Sequence, residues 1–229
     1  MGYTYVMSDI HGMATLLERM LEKIKFSSGD SLYILGDMID RGPDPGRVLD
    51  IVMETDNITA LMGNHEDAFV SWYDSVREGS VYGYYYNTYD ILSRSSFTYD
   101  RLEEYVEWMR GLPCCKKIKA GETNYLLAHA STDGIFSLRN RKEICLWDGQ
   151  FVERQAKIPW AYSIVGHVPT FILRGYPDEE ASIWHSADGK VADVDCGAVF
   201  VSYGGRLGCL CLETGEEFYV SQKDEEEKV

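Results

Sequence analysis

Short apolar runs, each closed by a polar cluster, set the rhythm of the first third of this chain. Tyr3-Thr4-Tyr5-Val6-Met7 leads into Asp9-Ile10-His11-Gly12. Leu32-Tyr33-Ile34-Leu35 leads into Gly36-Asp37-Met38-Ile39-Asp40-Arg41-Gly42, and Ile58-Thr59-Ala60-Leu61-Met62 into Gly63-Asn64-His65-Glu66. Asp37 comes 28 residues after Asp9, and Asn64 comes 27 after Asp37, the interval that strand–helix–strand units produce. The intervening segments carry helical spacing. Leu16, Leu17, Met20, Leu21 and Ile24 share one face of 13–25, opposed by Glu18, Arg19 and Lys23. Asp44-Pro45 is a helix start, a carboxylate N-cap followed by proline at the first helical position, and Val48, Leu49 and Val52 supply its stripe. Phe69, Trp72, Tyr73 and Val76 predict a third helix after Glu66.

The rhythm breaks at about 80–113. Tyr82, Tyr84, Tyr85, Tyr86 and Tyr89 crowd one stretch, and a helical pattern through Leu102, Tyr105, Val106 and Met109 stops at Gly111-Leu112-Pro113. This predicts a helical insertion, either plain packing with tyrosine as amphipathic material or a lip over a crevice. Two further strands then end in histidine: Asn124–Ala128 before His129-Ala130, and Tyr162–Val165 before Gly166-His167. Beyond about residue 180 the texture becomes short strands with glycine turns (Ala181–Trp184, Val191–Val194, Ala198–Val201, Leu207–Leu212, Phe218–Val220), which predicts an antiparallel sheet completing a two-sheet core. The expected organisation is one domain over 1–220 with the insertion at 80–113, then an acidic tail, 221–229.

Composition narrows the function classes. The net charge of −15, from 22 basic and 37 acidic residues, argues against a nucleic-acid partner or docking on anionic lipid. No apolar stretch approaches the ~20 residues of a membrane span. The first strand begins almost at Met1, so no signal peptide is expected. Gly2 lacks the Ser or Thr that myristoylation needs, since Val6 stands there. A cytoplasmic protein is expected. The six cysteines include no Cys-x-x-Cys pair, and strand alternation puts Cys209 and Cys211 on one face as small core residues.

Strand ends gather distant side chains into one crevice, and here they carry metal-ligand types: Asp9, His11, Asp37, Asn64, His129 and His167. Six such groups can hold two divalent ions if a carboxylate bridges, and the central Asp37 is the natural bridge. Two ions ~3.5–4 Å apart activate a bridging water as hydroxide and clamp phosphoryl oxygens during in-line attack. Mixed oxygen and nitrogen donors suit manganese, iron or zinc, with manganese the first expectation. His65 diverges from Asn64, so it reads as a general acid protonating the leaving group, oriented by Asp40. Arg41 offers a planar fork for phosphate oxygens. Glu66 reads as a helix N-terminal carboxylate, Asp195 as a turn or supporting carboxylate, and His185 as structural. Trp147, Trp160 and Trp184 read as packing residues.

These residues resemble the metallophosphoesterases of the calcineurin-like fold, and within them the phosphoprotein phosphatase family of serine/threonine phosphatases, especially its small bacterial and phage members. The likeness runs through Asp9-x-His11-Gly12, Gly36-Asp37-x-x-Asp40-Arg41-Gly42, Gly63-Asn64-His65-Glu66, His129-Ala130, Gly166-His167 and Asp195-Cys196-Gly197-Ala198. It implies an α/β fold, a two-sheet mixed β-sandwich flanked by helices in an α/β/β/α arrangement. It implies Asp9, His11 and Asp37 on one metal and Asp37, Asn64, His129 and His167 on the other. His65 with Asp40 is then the acid, and Arg41 the phosphate ligand. The implied activity is hydrolysis of phosphate monoesters, first in phosphoserine or phosphothreonine proteins and otherwise in small phosphoesters. The alternative of the same fold is a symmetrical dinucleoside tetraphosphate hydrolase, and the alternative of another class is a metal-binding scaffold without catalysis. One feature departs from the family pattern. The phage-type arginine two residues after a tryptophan is absent, because Asp148 and Gly149 follow Trp147; Arg139, Arg141 and Arg154 are the candidates to replace it.

Overall fold

A computed structural model describes residues 2–80, 88–89, 92, 98–154, 158–175 and 180–223. Two five-stranded mixed sheets lie face to face with helices outside, the α/β architecture expected. The first sheet has the order β10-β9-β1-β2-β3, built from β1 (Thr4–Met7), β2 (Ser31–Ile34), β3 (Ile58–Ala60), β9 (Leu207–Cys211) and β10 (Glu217–Val220). The second has the order β4-β5-β6-β8-β7, from β4 (Cys115–Ala120), β5 (Thr123–Ala128), β6 (Tyr162–Val165), β7 (Trp184–His185) and β8 (Val191–Asp193). β1, β2 and β3 are parallel, and so are β5, β6 and β8.

The two-residue side-chain period sorts each strand between two apolar layers. Tyr5, Met7, Leu32, Ile34, Cys209 and Cys211 face the helices. Val6, Leu35, Leu61 and Leu210 face the second sheet, where Leu127, Ile164 and Val194 meet them. Cys209 and Cys211 therefore do share one buried face. The helical layer comprises α1 (Ala14–Lys23), α2 (Pro45–Glu54), α3 (Asn64–Arg77) and α4 (Tyr99–Arg110). Asp44 caps α2 as expected, its Oδ1 accepting from Arg47 N at 3.0 Å. α4 buries Leu102, Tyr105, Val106 and Met109 in this layer, and its Tyr105 hydroxyl donates to the Gly46 carbonyl of α2. This helix packs on the helical layer with tyrosine as amphipathic material. Tyr82, Tyr84, Tyr85 and Tyr86 lie outside the described residues, as do 224–229 of the expected tail.

Three expectations are corrected. The late strands do not form one antiparallel sheet: β9 and β10 join the first sheet, β7 and β8 the second. Ala198–Val201 is no strand, because Gly197 takes a left-handed φ of 70° and the chain turns back through Phe200 N to Gly197 O. Trp147 and Trp160 are 48% and 54% exposed rather than packed, whereas Trp184 packs against the cluster of Phe151 and Val165. The strand β4 had no apolar signature, since its Cys-Lys-Lys-Ile-Lys-Ala sequence is that of a lysine-protected sheet edge. No helix among the described residues is long and apolar enough to cross a membrane.

Candidate metal centre

Six parallel strands, three from each sheet, end at the same edge of the sandwich, and each carries a polar group one to four residues beyond its end: Asp9, Asp37, Asn64, His129, His167 and Asp195. The approach is close enough to require glycine twice. A Cβ at Gly63 would come within 2.2 Å of Asp37 Oδ1, and one at Gly166 within 2.4 Å of Asp9 Oδ2. Among the described residues, the non-glycine positions with left-handed φ are Asp9, His11, Asp37, Asp40, Arg41, His167 and Lys25. All but Lys25 belong to this edge. Such conformations cost about 1–3 kcal/mol each and gather where surrounding structure enforces a functional geometry.

Asp37 stands between two groups of donors. On one side its Oδ2 lies 3.7 Å from both His11 Nε2 and His65 Nε2. On the other its Oδ1 lies 3.4 Å from His129 Nε2. The sets His11, Asp37, His65 and Asp37, His129, His167 each bring their ligand atoms within 4.8 Å of one another. Backbone carbonyls decide the tautomers: His11 Nδ1 donates to Ile39 O at 2.8 Å, and His129 Nδ1 to Leu35 O at 2.9 Å. Both Nε2 atoms therefore present lone pairs inward. His129 Nε2, Asn64 Oδ1 and His167 Nδ1 then crowd together at 2.8, 2.9 and 3.1 Å. Donors ~2.1 Å from one octahedral ion are separated by about 3.0 Å when adjacent, so this cluster has the chemistry and spacing of a cation cradle. Asp9 Oδ1 lies 3.9 Å from His11 Nε2, while its Oδ2 accepts from Ser8 Oγ and His167 N.

The electrostatics agree. Burial, the Arg41 guanidinium and His65 push His11 down to about 3; burial and His167 do the same to His129, and His167 is lowered by burial. These imidazoles are neutral near pH 7 and free of competing protons. Burial, together with Asp9 and Glu66, raises Asp37 well above the usual carboxylate range. A buried anion among anions is one that cations stabilise. Arg41 extends over the Phe200 ring, 5.4 Å from its centroid, with its two terminal nitrogens 2.9 Å from His11 Nε2 and 3.2 Å from His65 Nε2.

Three supporting residues escaped the sequence reading or were underrated by it. Ser8 tethers Asp9. Glu66 does lie in the first turn of α3, as expected, but it is completely buried and does more. Its carboxylate accepts from Asp37 N (2.9 Å), Met38 N (2.8 Å), Ile39 N (3.3 Å) and Gly63 N (2.9 Å), locking the loops after β2 and β3 together. Thr88, from the tyrosine-rich insertion, holds Asp40. Its hydroxyl and backbone N–H both donate to Asp40 Oδ1, at 2.5 and 3.1 Å, and its Oγ1 accepts from Asp40 N at 2.8 Å. The other oxygen of Asp40 takes His65 Nδ1 at 2.7 Å. Asp193 and Asp195 lie close enough to Asp9 to feel its charge, and Asp195 Oδ1 accepts from Gly197 N. His185 stays outside, paired with Glu217.

Of the candidate arginines to replace the missing one, Arg154 is paired with Asp148 and Asp133, and Arg141 donates to the Ile135 carbonyl. Arg139 lines a cavity of about 350 Å³ with Asp67, Asn140, Lys142, Glu143 and Trp147. Gly149, two residues past Trp147, faces the His167 ring, where an added Cβ would come 3.4 Å from Cδ2.

Two facing mixed sheets with carboxylates, imidazoles and an amide at their shared strand ends define a metallophosphoesterase-type site. The model of the calcineurin-like phosphoesterase family matches residues 3–205, and the chain belongs to that family. A symmetrical bis(5'-nucleosyl)-tetraphosphatase of Delftia acidovorans is 32% identical over 161 residues, 68% of this chain and 53% of that protein. One of the same name from an Acidovorax species is 34% identical over 128 residues, 55% of this chain and 43% of its own length. The chain spans about half the length of these curated relatives. Among solved structures, a protein provisionally described as a diadenosine tetraphosphatase aligns with a TM-score of 0.64 at 19% identity, covering 96% of this chain and 93% of its own. A serine/threonine phosphatase of Saccharomyces cerevisiae aligns at 0.60 and 16%, covering 93% and 73%. At such identities the likeness is one of fold.

Glu66→Gln places an amide N–H against converging backbone donors. It should lower unfolding free energy by about 2–4 kcal/mol and reduce the Mn²⁺ kept through dialysis, read by denaturant unfolding and metal analysis; unchanged values would remove Glu66 from its clamping role. Burial, Asp195 and Asp9 hold Asp193 well above the usual carboxylate range. The folded protein thus keeps a proton that the unfolded chain releases near pH ~4, and stability falls as pH rises toward the raised folded value. Asp193→Asn lacks that loss, so its stability relative to wild type should rise as pH increases from 5 to 8, measured by urea unfolding; a pH-independent difference would show that Asp193 keeps no extra proton on folding.

Proposed function

We propose that this protein is a two-metal phosphoesterase that cleaves symmetrical dinucleoside tetraphosphates. The observation that carries the metal reading is Asp37, whose two carboxylate oxygens face separate clusters of inward lone pairs. Asp9, His11 and Asp37 would hold one ion, and Asp37, Asn64, His129 and His167 the other. The mixed donors suit Mn, Fe or Zn. Such an ion pair supplies hydroxide near neutral pH and neutralises phosphoryl charge.

The chain's own residues do the rest. Arg41, propped on Phe200, presents its fork to non-bridging phosphate oxygens. His65 turns Nε2 into the site, with Nδ1 fixed by Asp40, and donates its proton to the departing oxygen. Thr88 holds Asp40 through three hydrogen bonds, so it positions that donor from a distance. In symmetrical cleavage the departing group is a nucleoside diphosphate, whose weakly basic oxygen needs little help from an acid.

The names carried by the curated relatives support the dinucleotide substrate. So does the cavity lined by Asp67, Arg139, Asn140, Lys142, Glu143 and the half-exposed Trp147, where the indole offers an aromatic face for a base and Arg139 a cation for its phosphates, Lys142 being paired with Asp67. The second reading is a serine/threonine protein phosphatase, supported by the motif set from Asp9 to Asp195 that it shares with that family.

With Mn²⁺ present, diadenosine tetraphosphate should yield two ADP per molecule with a higher kcat/KM than a phosphoserine peptide; phosphate release from the peptide without ADP formation would give the second reading precedence. Trp147→Ala should raise KM for the tetraphosphate about tenfold, matching a stacking contribution of ~1–3 kcal/mol, and leave p-nitrophenyl phosphate kinetics unchanged. A separate pair of variants tests the acid. His65→Asn should slow hydrolysis of an alkyl phosphate about 10²–10⁴-fold, with smaller losses on p-nitrophenyl phosphate and the tetraphosphate, while Mn²⁺ content stays constant. Thr88→Val should repeat this leaving-group pattern about tenfold, and Thr88→Ser should restore activity. Uniform losses across all substrates would refute the positioning role, and metal loss in His65→Asn would make that residue a ligand.

A further inference from the structure

Behind the carboxyl ends of β3 and β5 lies a second constellation of ligating atoms, all sulfur. Cys114 and Cys115 stand at the start of β4, and Cys145 lies in the helix α5 (Arg141–Trp147). Their three Sγ atoms fall within 4.8 Å of one another, with 4.0 Å between Cys114 and Cys115. All three are free thiols; Cys145 is buried, and the other two are half-buried and within reach of solvent. Met62, Ala128, Leu146 and Leu112 surround them with apolar groups. On the far side Gly134 leaves room for sulfur, since a Cβ there would come 2.5 Å from Cys145 Sγ.

Simple core packing explains a buried Cys145 but not the convergence. Adjacent residues of a strand project to opposite faces, yet the bend at Cys114 brings its sulfur round to the side of Cys115. Three metal–sulfur bonds of ~2.3 Å in a plane separate the sulfurs by about 4.0 Å, the spacing found for Cys114 and Cys115. We propose that Cys114, Cys115 and Cys145 form a three-thiolate site for a thiophilic d¹⁰ cation, Cu(I) or Zn(II), separate from the oxygen- and nitrogen-lined centre. Soft thiolates select such ions and exclude Mn²⁺ or Mg²⁺. Binding releases the thiol protons to solvent and leaves a net anionic complex, which Arg141 on the same helix offsets. The Cys145 carbonyl accepts from Ala130 N (2.6 Å) and Ser131 N (3.4 Å). A bound ion would therefore fasten α5 to β4 directly behind His129.

The test uses the full chain, reduced, anaerobic and preloaded with Mn²⁺, titrated with Cd²⁺ as the spectroscopic probe. One equivalent should produce an ultraviolet thiolate-to-cadmium charge-transfer band. In wild type the same equivalent should shield Cys114 and Cys115 from N-ethylmaleimide, read by mass spectrometry, an assay that depends on no variant folding. Cys115→Ser and Cys145→Ser, each checked for fold by circular dichroism, should lose the band. Zn(II) alone, and Cu(I) supplied as its bicinchoninate complex, form the two identifying arms; shielding by either supports the site and names its ion. Absence of the band at one equivalent, its persistence in both variants, or failure of both ions to shield the thiols overturns the proposal.

Discussion

The Glu66 carboxylate is the constraint on which the candidate centre depends. Four backbone N–H groups from two loops converge on it. Glu66 is fully buried, so each of these four donors left unmet would cost about 1–3 kcal/mol. That requirement brings Asp37 and Asn64 face to face. It also enforces the left-handed backbone at Asp37, which an isolated loop would relax.

From that junction the polar edge grows outward in two directions. Through Gly63 and Gly166 the chain draws close enough for Asp37 and Asp9 to meet imidazoles from the opposite sheet. Through Asp40 and Thr88 it reaches the insertion, so a segment outside the strand–helix repeat supports the orientation of His65. The apolar layers make this concentration of charge affordable. Val6, Leu35, Leu61, Leu127 and Ile164 pack between the sheets and keep two sets of strand ends level. Burial then neutralises His11 and His129 and raises Asp37, the state of an anionic pocket that divalent cations complete.

The likeness to known proteins and the physical reading meet at the level of the calcineurin-like phosphoesterase family. Below that level the weight shifts. The motifs from Asp9 to Asp195 resemble serine/threonine phosphatases, whereas the curated relatives carry the name of dinucleoside tetraphosphate hydrolases. Both substrate classes are phosphoryl compounds. Asp148 and Gly149 follow Trp147 where the phage-type pattern has its arginine, and Trp147 lines a cavity with Arg139 and Lys142.

Much was legible in the residues themselves. The interval between Asp9, Asp37 and Asn64 exposed the strand–helix repeat, and the two-residue period assigned Cys209 and Cys211 to one face, because both signals are local. The late strands were harder. Their lengths and turns were visible, but β7 and β8 look no different from β9 and β10 in sequence, and only packing across the sandwich assigns each pair to its sheet. β4 was invisible because an edge strand earns its place by pairing with β5, not by apolar pattern. Thr88 and the three converging thiols carried no signal for the same reason. Local chemistry named the groups available to the centre; long-range contacts, set by which strand lies beside which, decided who holds whom.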